Sequence, residues 1–242
     1  MAYETFAFVY DEVMDDSLYQ QWLDFSLRHL PKETNQLLEL ACGTGALAVE
    51  FAKKDFDVTG LDLSEEMLTL ANDRALQEGV AVNWIAGDML DLTDIGSYHA
   101  VTCFSDSLCY MQDASQVKQV FEGVYQLLKE AGTFIFDVHS TYQIDTIFPE
   151  YSYHDQTEDF AFLWDSYPGD SDHSIEHFLT FFVKQEEEIF ERFDELHKER
   201  TYPLDMYQKM LTEVGFKVEV FADFMDEYPN EKSKRWFFVC NK

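Results

Sequence analysis

The chain has 242 residues, of which 46% are hydrophobic, with 22 Phe and 13 Tyr. That content supports a substantial core and excludes a disordered chain. The 47 acidic and 17 basic residues give a formal charge of −30, which excludes the basic footprint that nucleic acid or anionic lipid needs; the acidity serves solubility or attracts a cationic or amine substrate.

Leu18, Trp22, Phe25 and Leu30 fall near one face and predict a helix over 17–30, ended by Pro31. Alternation then begins. Strands are expected at 36–41, 57–63, 82–87, 99–104 and 133–138, with helices at 46–54, 64–79 and 114–130 between them. Ser64 is placed to cap the second of these helices, Glu65 and Glu66 suit its positive end, and Gly132 is expected to close the third. Strands separated by helices imply a parallel, doubly wound α/β sheet. After Val138 the period falls to two. "DFAFLWDSY", "SIEHFLTFFVK" and "EIFERFDELHKER" read as a three-stranded antiparallel meander. A helix at 203–216, with Gly215 at its end, and strands "KVEVFADF" and "RWFFVCN" complete the chain. One α/β domain, 1–142 with 201–242, is thus interrupted by a β insertion at 143–200.

Cys42, Cys103, Cys109 and Cys240 form no CxxC pair and suit a reducing, cytoplasmic setting. The N-terminus has no basic, signal-like region, and no apolar run is long enough to span a bilayer, so no membrane association is expected.

The stretch "LLELACGTGALAVEF" (37–51) carries the chemistry. A strand keeps a carboxylate, Glu39, and then breaks into Gly43-Thr44-Gly45. Such a turn lets the backbone approach a ligand at a helix N-terminus. Gly43-x-Gly45-x-x-Ala48 also fits a loose dinucleotide pattern, which keeps an NAD-type oxidoreductase open. The acids argue for another ligand. Glu39 lies before the turn, Asp62 ends the second strand and Asp88 follows the third. Three acids at successive strand ends describe a nucleoside pocket without phosphates. Plainer readings are a core arginine partner for Glu39, a helix-terminal acid at Asp62 and a turn residue at Asp88.

The segments "ELACGTG" (39–45), "GLDLSEEML" (60–68), "AGDMLDL" (86–92) and "HAVTCFSDSLCYM" (99–111), in this order and spacing, resemble the class I S-adenosylmethionine-dependent methyltransferases. The chain looks most like their small-molecule branch, which includes amino-sugar N-methyltransferases with a β insertion after the fifth strand. The resemblance implies a Rossmann-like seven-stranded sheet with its last strand antiparallel, and S-adenosylmethionine as cofactor. Glu39 would then engage the methionyl end, and Ala41, Gly43 and Gly45 would form the close turn beneath it. Relatives often have Gly where Ala41 stands. Asp62 would hold the ribose, with Leu63 and Met67 beside the adenine. Asp88 would bind the adenine amine and the Met89 N–H a ring nitrogen. Phe104 and Ser105 would lie near the sulfonium, and Tyr10 stands where relatives close the site with a tyrosine.

Transfer from a sulfonium has a neutral leaving group, so alignment in a water-poor site is the main demand. No GxSxG element or Cys/His pair marks a triad. His139, after the fifth strand, and His197, on one face of the meander with Glu195, are candidate acceptor contacts, with Trp164 and Tyr10; surface or sheet-stabilising roles remain open for them. His139, His173, His177 and His197 form no metal motif, and "HSIEH" is too isolated to mark a site. The expected function is N- or O-methylation of a small molecule. An NAD-type oxidoreductase and a cofactor-binding protein without transfer activity remain as alternatives. The meander is expected either to form a lid over the site or to pair two copies in a homodimer. The charge yields one direct expectation: no affinity for RNA or duplex DNA at physiological salt, checked by gel shift, where a salt-dependent micromolar complex would refute it.

Overall fold

The computed structural model describes residues 16–185 and 189–242; Tyr10 lies outside them. Helix α1 spans Asp16–His29. The alternating half follows as β1 (Gln36–Leu40), α2 (Ala46–Ala52), β2 (Asp57–Asp62), α3 (Glu65–Glu78), β3 (Asn83–Ala86), β4 (Tyr98–Cys103), a 3₁₀ turn at Ser107–Tyr110, α4 (Ala114–Leu127) and β5 (Leu128–His139). Strands β6 (Ser152–Gln156), β7 (Phe160–Pro168), β8 (Ser174–Lys184) and β9 (Phe190–Arg200) come next, then α5 (Leu204–Val214), β10 (Lys217–Ala222) and β11 (Arg235–Asn241).

The main sheet has the order β10-β11-β5-β4-β1-β2-β3. β1 to β5 pair in parallel, and β11 runs antiparallel to both β5 and β10. Side chains alternate across this sheet. Leu38, Val101, Phe134, Phe136 and Phe238 pack under α4 and α5. Leu37, Ala100, Ile135 and Phe237 pack under α1 and α2, with Trp22, Phe25 and Phe51. Their neighbours in sequence thus point to opposite cores, the period of two expected of a strand. Both faces are covered, which is why these strands read as apolar runs.

Two expectations change. Helix α4 stops at Leu127, and Leu128 is already extended, with φ −69° and ψ 134°. Gly132 therefore sits within β5, where the register with β4 shifts. A Cβ on it would lie 2.8 Å from the Lys129 carbonyl oxygen, so the irregularity selects glycine. The insertion has four strands, in the order β6-β7-β8-β9, instead of three. The extra strand, β6, is exposed along its whole length. An edge strand with no buried face leaves no apolar alternation to read.

The insertion meets the core at the carboxyl ends of β4 and β5. Phe148 of the insertion lies against His139 at the end of β5, with ring centroids 5.0 Å apart, and His197 bonds Tyr110 OH of the turn after β4 at 2.9 Å. The Thr201 hydroxyl donates to the His139 carbonyl at 2.6 Å, joining the two ends of the excursion.

A buried ion cluster fastens the same region. Arg235, opposite His139 in the β5–β11 ladder, has its Nη1 2.5 Å from Asp137 Oδ2 and paired with Asp106. Trp22 Nε1 donates to Asp137 Oδ2 at 2.8 Å. Burial works to raise Asp106, but Arg235 and His139 overcome it and hold that carboxyl below the usual range. For Asp137 burial wins over Arg235, and its carboxyl is raised. Arg235→Met would leave two buried carboxylates without their cation. It should lower stability by about 3–5 kcal/mol in denaturant unfolding; a loss under about 1 kcal/mol would show that the cluster is not needed for folding.

Candidate functional site

The turn from β1 into α2 is built from left-handed residues. Ala41, Gly43 and Gly45 have φ of 52°, 53° and 72°. A Cβ on Gly43 would meet nothing within 4 Å, so this glycine faces open space. A Cβ on Gly45 would lie 2.7 Å from both Ala71 and Trp84, so there the missing side chain admits α3 and β3. Ala41 holds its left-handed conformation with a Cβ, at a strain of about 1 kcal/mol.

Two acids surround this turn. Asp62, at the end of β2, accepts from Gly43 N at 2.7 Å and from Ser64 N at 2.9 Å. Burial raises its carboxyl, and those N–H groups oppose the rise. Glu39, on β1, is 5% exposed, and its Oε2 has no hydrogen-bond partner. Burial pushes its carboxyl well above the ordinary value, the charge of Asp62 adds to this, and the Ala48 N–H draws it partly back. The expected alternative of a core arginine is absent: no Lys or Arg ion pair reaches Glu39 among the described residues. A buried carboxylate without a cation is unfavourable by itself, and it fits a ligand that brings one.

Glu39, Ala41, Gly43, Phe104 and Ser105 line one recess, joined by Tyr19 and Trp22 of α1. Trp22 and Phe104 stack at 6.1 Å. Gly45 follows Thr44 of the recess in the chain and does not line it. Next to it, Leu63 is 75% exposed at the head of α3, while Met67 is buried and donates its N–H to the Ser64 cap. Asp88 is exposed after β3, accepting from Leu90 N at 2.9 Å; Met89 is half-buried beside it. The Gly87 N–H donates to the Asp62 carbonyl at 2.9 Å, tying the turns after β2 and β3 together.

His139 and His197 do not share this recess. His139 Nε2 lies 3.1 Å from Asp106 Oδ2 and 3.5 Å from Glu199 Oε2. His197 bonds Tyr110 OH through Nδ1 at 2.9 Å and Glu195 through Nε2 at 2.8 Å. Trp164, on the same face of the meander as Glu195, donates to His177 Nδ1 at 3.0 Å. His177, set aside in the sequence as part of an isolated stretch, is 3% exposed and faces Glu199 at 3.7 Å. Asp137, Glu199, Arg235 and Tyr19 carry no motif of their own, Asp106 lies unremarked within the 99–111 segment and Trp22 reads only as part of a helix face; their grouping emerges from the fold. Among the described residues no group of His, Cys, Asp and Glu is placed to hold a metal ion, and all four cysteines are buried and free.

A family model described as a methyltransferase domain matches residues 37–132. A protein of Geobacillus sp. (strain WCH70) that carries a methyltransferase name is 44% identical over 247 residues, covering 100% of both chains. An S-adenosylmethionine-dependent methyltransferase from Clostridium acetobutylicum superposes with a TM-score of 0.85 at 26% identity, covering 100% of this chain and 99% of that one. A sugar N-methyltransferase from Streptoalloteichus sp. gives 0.79 at 19% identity over 97% and 91% of the two chains, a likeness of fold.

Glu39 also sets a pH dependence. Its folded carboxyl titrates above the unfolded value of 4.5, so the folded chain holds a proton that the unfolded chain has released. Stability from this group is present below the unfolded value and is lost as pH rises through the folded one. Glu39→Gln should therefore flatten that decline and stabilise the ligand-free protein at neutral pH by about 1–3 kcal/mol, read from urea unfolding at several pH values. An unchanged slope would show that Glu39 does not titrate there.

Proposed function

The chain belongs to the class I S-adenosylmethionine-dependent methyltransferases, and on that footing we propose that it methylates a small molecule at nitrogen or oxygen, aligning the acceptor without a catalytic triad. The observation that carries the placing of the cofactor is the buried, unpartnered Glu39 Oε2 beside a glycine that faces open space. When bound, S-adenosylmethionine supplies an electrophilic methyl group on a sulfonium.

The residues present fit that group. Glu39 takes the ammonium of its methionyl end and so gains the cation that its burial calls for. The carboxylate of Asp62, already oriented by Gly43 and Ser64, accepts from the ribose hydroxyls. Leu63 offers an apolar surface to the base, and Asp88 and Met89 stand at its edge. Phe104, Ser105 and Trp22 wall the side toward β4 and exclude water from it. The insertion at 143–200 serves as the lid on the acceptor side. Its contacts with the ends of β4 and β5 and the acids on its inner face support that reading. His139 and His197, from the core and the lid, are the proposed acceptor-side histidines. A cytoplasmic setting accords with four unpaired cysteines, and among the described residues no helix is long and apolar enough to cross a membrane.

Calorimetry tests this assignment. S-adenosylmethionine and S-adenosylhomocysteine should bind and NAD should not. Asp62→Ala should weaken S-adenosylhomocysteine roughly 10- to 100-fold, the worth of charge-assisted hydrogen bonds. Unchanged affinity would remove Asp62 from the site, and preferential binding of NAD would overturn the cofactor assignment as a whole.

A further inference from the structure

A second recess, apart from the glycine turn, lies where the insertion returns to the core. Its volume is about 540 Å³, which is in the range of small-molecule sites. Asp172 and His173, in the turn between β7 and β8, line it from the insertion, with Arg200 at the end of β9. Asp113 and Ser115, at the start of α4, line it from the core. It shares no lining residue with the recess at the glycine turn.

Arg200 stands apart from the other arginines. Arg28, Arg74, Arg192 and Arg235 each donate to an oxygen of the protein. Arg200 makes no hydrogen bond or ion pair among the described residues, in a chain with 47 acids and 17 bases. Its Nε is buried without a partner, which is costly unless something completes it. What holds the side chain is a ring: the guanidinium carbon lies 5.0 Å from the centroid of Tyr202. A guanidinium held by a ring and not by a carboxylate keeps its N–H donors for a ligand. Two acids line the same recess and still leave it unpaired. Asp113 Oδ1 is spent on α4, accepting from Ser115 N at 2.8 Å and Gln116 N at 3.0 Å. Asp172 is exposed in its turn.

The lining sets the class of ligand. A guanidinium fork matches a carboxylate or a phosphate. Asp113 and Asp172 add two negative charges to the same recess, which disfavours a phosphate dianion and leaves a monoanion. The rest of the wall, with Tyr202, Pro203 and Met206, is largely apolar and suits an apolar body. Pro203 opens α5 without a side-chain cap, so the positive end of that helix also faces no acceptor from its own cap residue.

We propose that this recess binds a small monocarboxylate with an apolar body, the carboxylate on Arg200 and the body against Tyr202, Pro203 and Met206. Neither His139 nor His197 lines it, so its occupant is an effector and not the methyl acceptor. Arg200 and His173 belong to the insertion, Asp113 and Met206 to the core, and a ligand between them fastens the one to the other. The proposal goes beyond the methyltransferase reading and does not depend on it.

The test uses the full chain with its histidines labelled with ¹⁵N. Sodium benzoate is the probe. Benzamide is the neutral near-isostere, inorganic phosphate the competing anion and sodium chloride the ionic-strength control. The imidazole signals of His173 should move saturably with benzoate and with none of the other three, while those of His29, outside the recess, stay in place. Benzoate should also raise the midpoint of urea unfolding. Arg200→Met, checked by its own unfolding transition, should weaken benzoate by about tenfold or more, with S-adenosylhomocysteine affinity held within about twofold. No saturable movement, equal responses to benzoate and benzamide, an equal response to phosphate, or an unchanged response in Arg200→Met would each overturn the proposal. If that variant fails to fold, the comparison of benzoate with benzamide on the wild type decides alone. Failure of the wild type to bind S-adenosylhomocysteine would strike the methyltransferase reading and leave this one standing, so the two failures are told apart.

Discussion

The guanidinium of Arg235, held between Asp106 and Asp137, is the interaction on which the carboxyl end of the central strands depends. It joins β11 to β5 and to the corner after β4, and through Asp137 it reaches Trp22 of α1. Those elements supply Trp22, Phe104 and Ser105 to the recess at the glycine turn. Burying such a cluster yields little net stability relative to a well-packed apolar one. What it provides is position, because a planar guanidinium with two carboxylates tolerates few arrangements. Phe104 and Ser105 are thereby fixed relative to Glu39, which no pair of apolar residues would do as tightly.

Several locally unfavourable features lie at this same end. Ala41, Ser105 and Asp106 hold positive φ without being glycine. Glu39 and Glu199 are buried acids with unfilled oxygens. The middle of the sheet is largely apolar, with aromatic side chains such as Phe136 and Phe238 stacked at 4.7 Å. A rigid sheet with two covered faces can carry strained corners at one edge, and that edge is where ligands of such sheets bind.

Local pattern made most of the fold legible. Apolar runs marked β1, β4 and β5, and Ser64 marked the start of α3 through the hydrogen bond that it makes to Met67 N. The acids proposed for the cofactor, Glu39, Asp62 and Asp88, could be singled out because each stands beside a strand end or turn. Even there the plain readings of Asp62 and Asp88 hold in part, since both bind nearby backbone N–H groups as well. The buried polar cluster at the ends of β4 and β5 was hidden. Arg235 meets Asp137 only through the register of β11 on β5. Glu199 meets His177 only through the register of β9 on β8. Contacts made at long sequence separation leave no periodic trace, and the exposed strand β6 leaves none either.

The position of β11 has a consequence for how the molecule is made. It lies between β5 and β10, and β10 joins the sheet through β11 alone. On a ribosome, the far edge of β5, with Phe134, Ile135 and Phe136, stays open until residues 235–241 have emerged, and β10 waits with it. Asp106 and Asp137 likewise remain without their cation until the first residue of that strand arrives. A nascent chain halted before this point keeps an unpaired apolar edge, the feature that invites association with other chains. Completion of the sheet and neutralisation of the buried acids therefore occur in one late event. A nascent chain should pass abruptly from chaperone-dependent to self-sufficient as that strand is released.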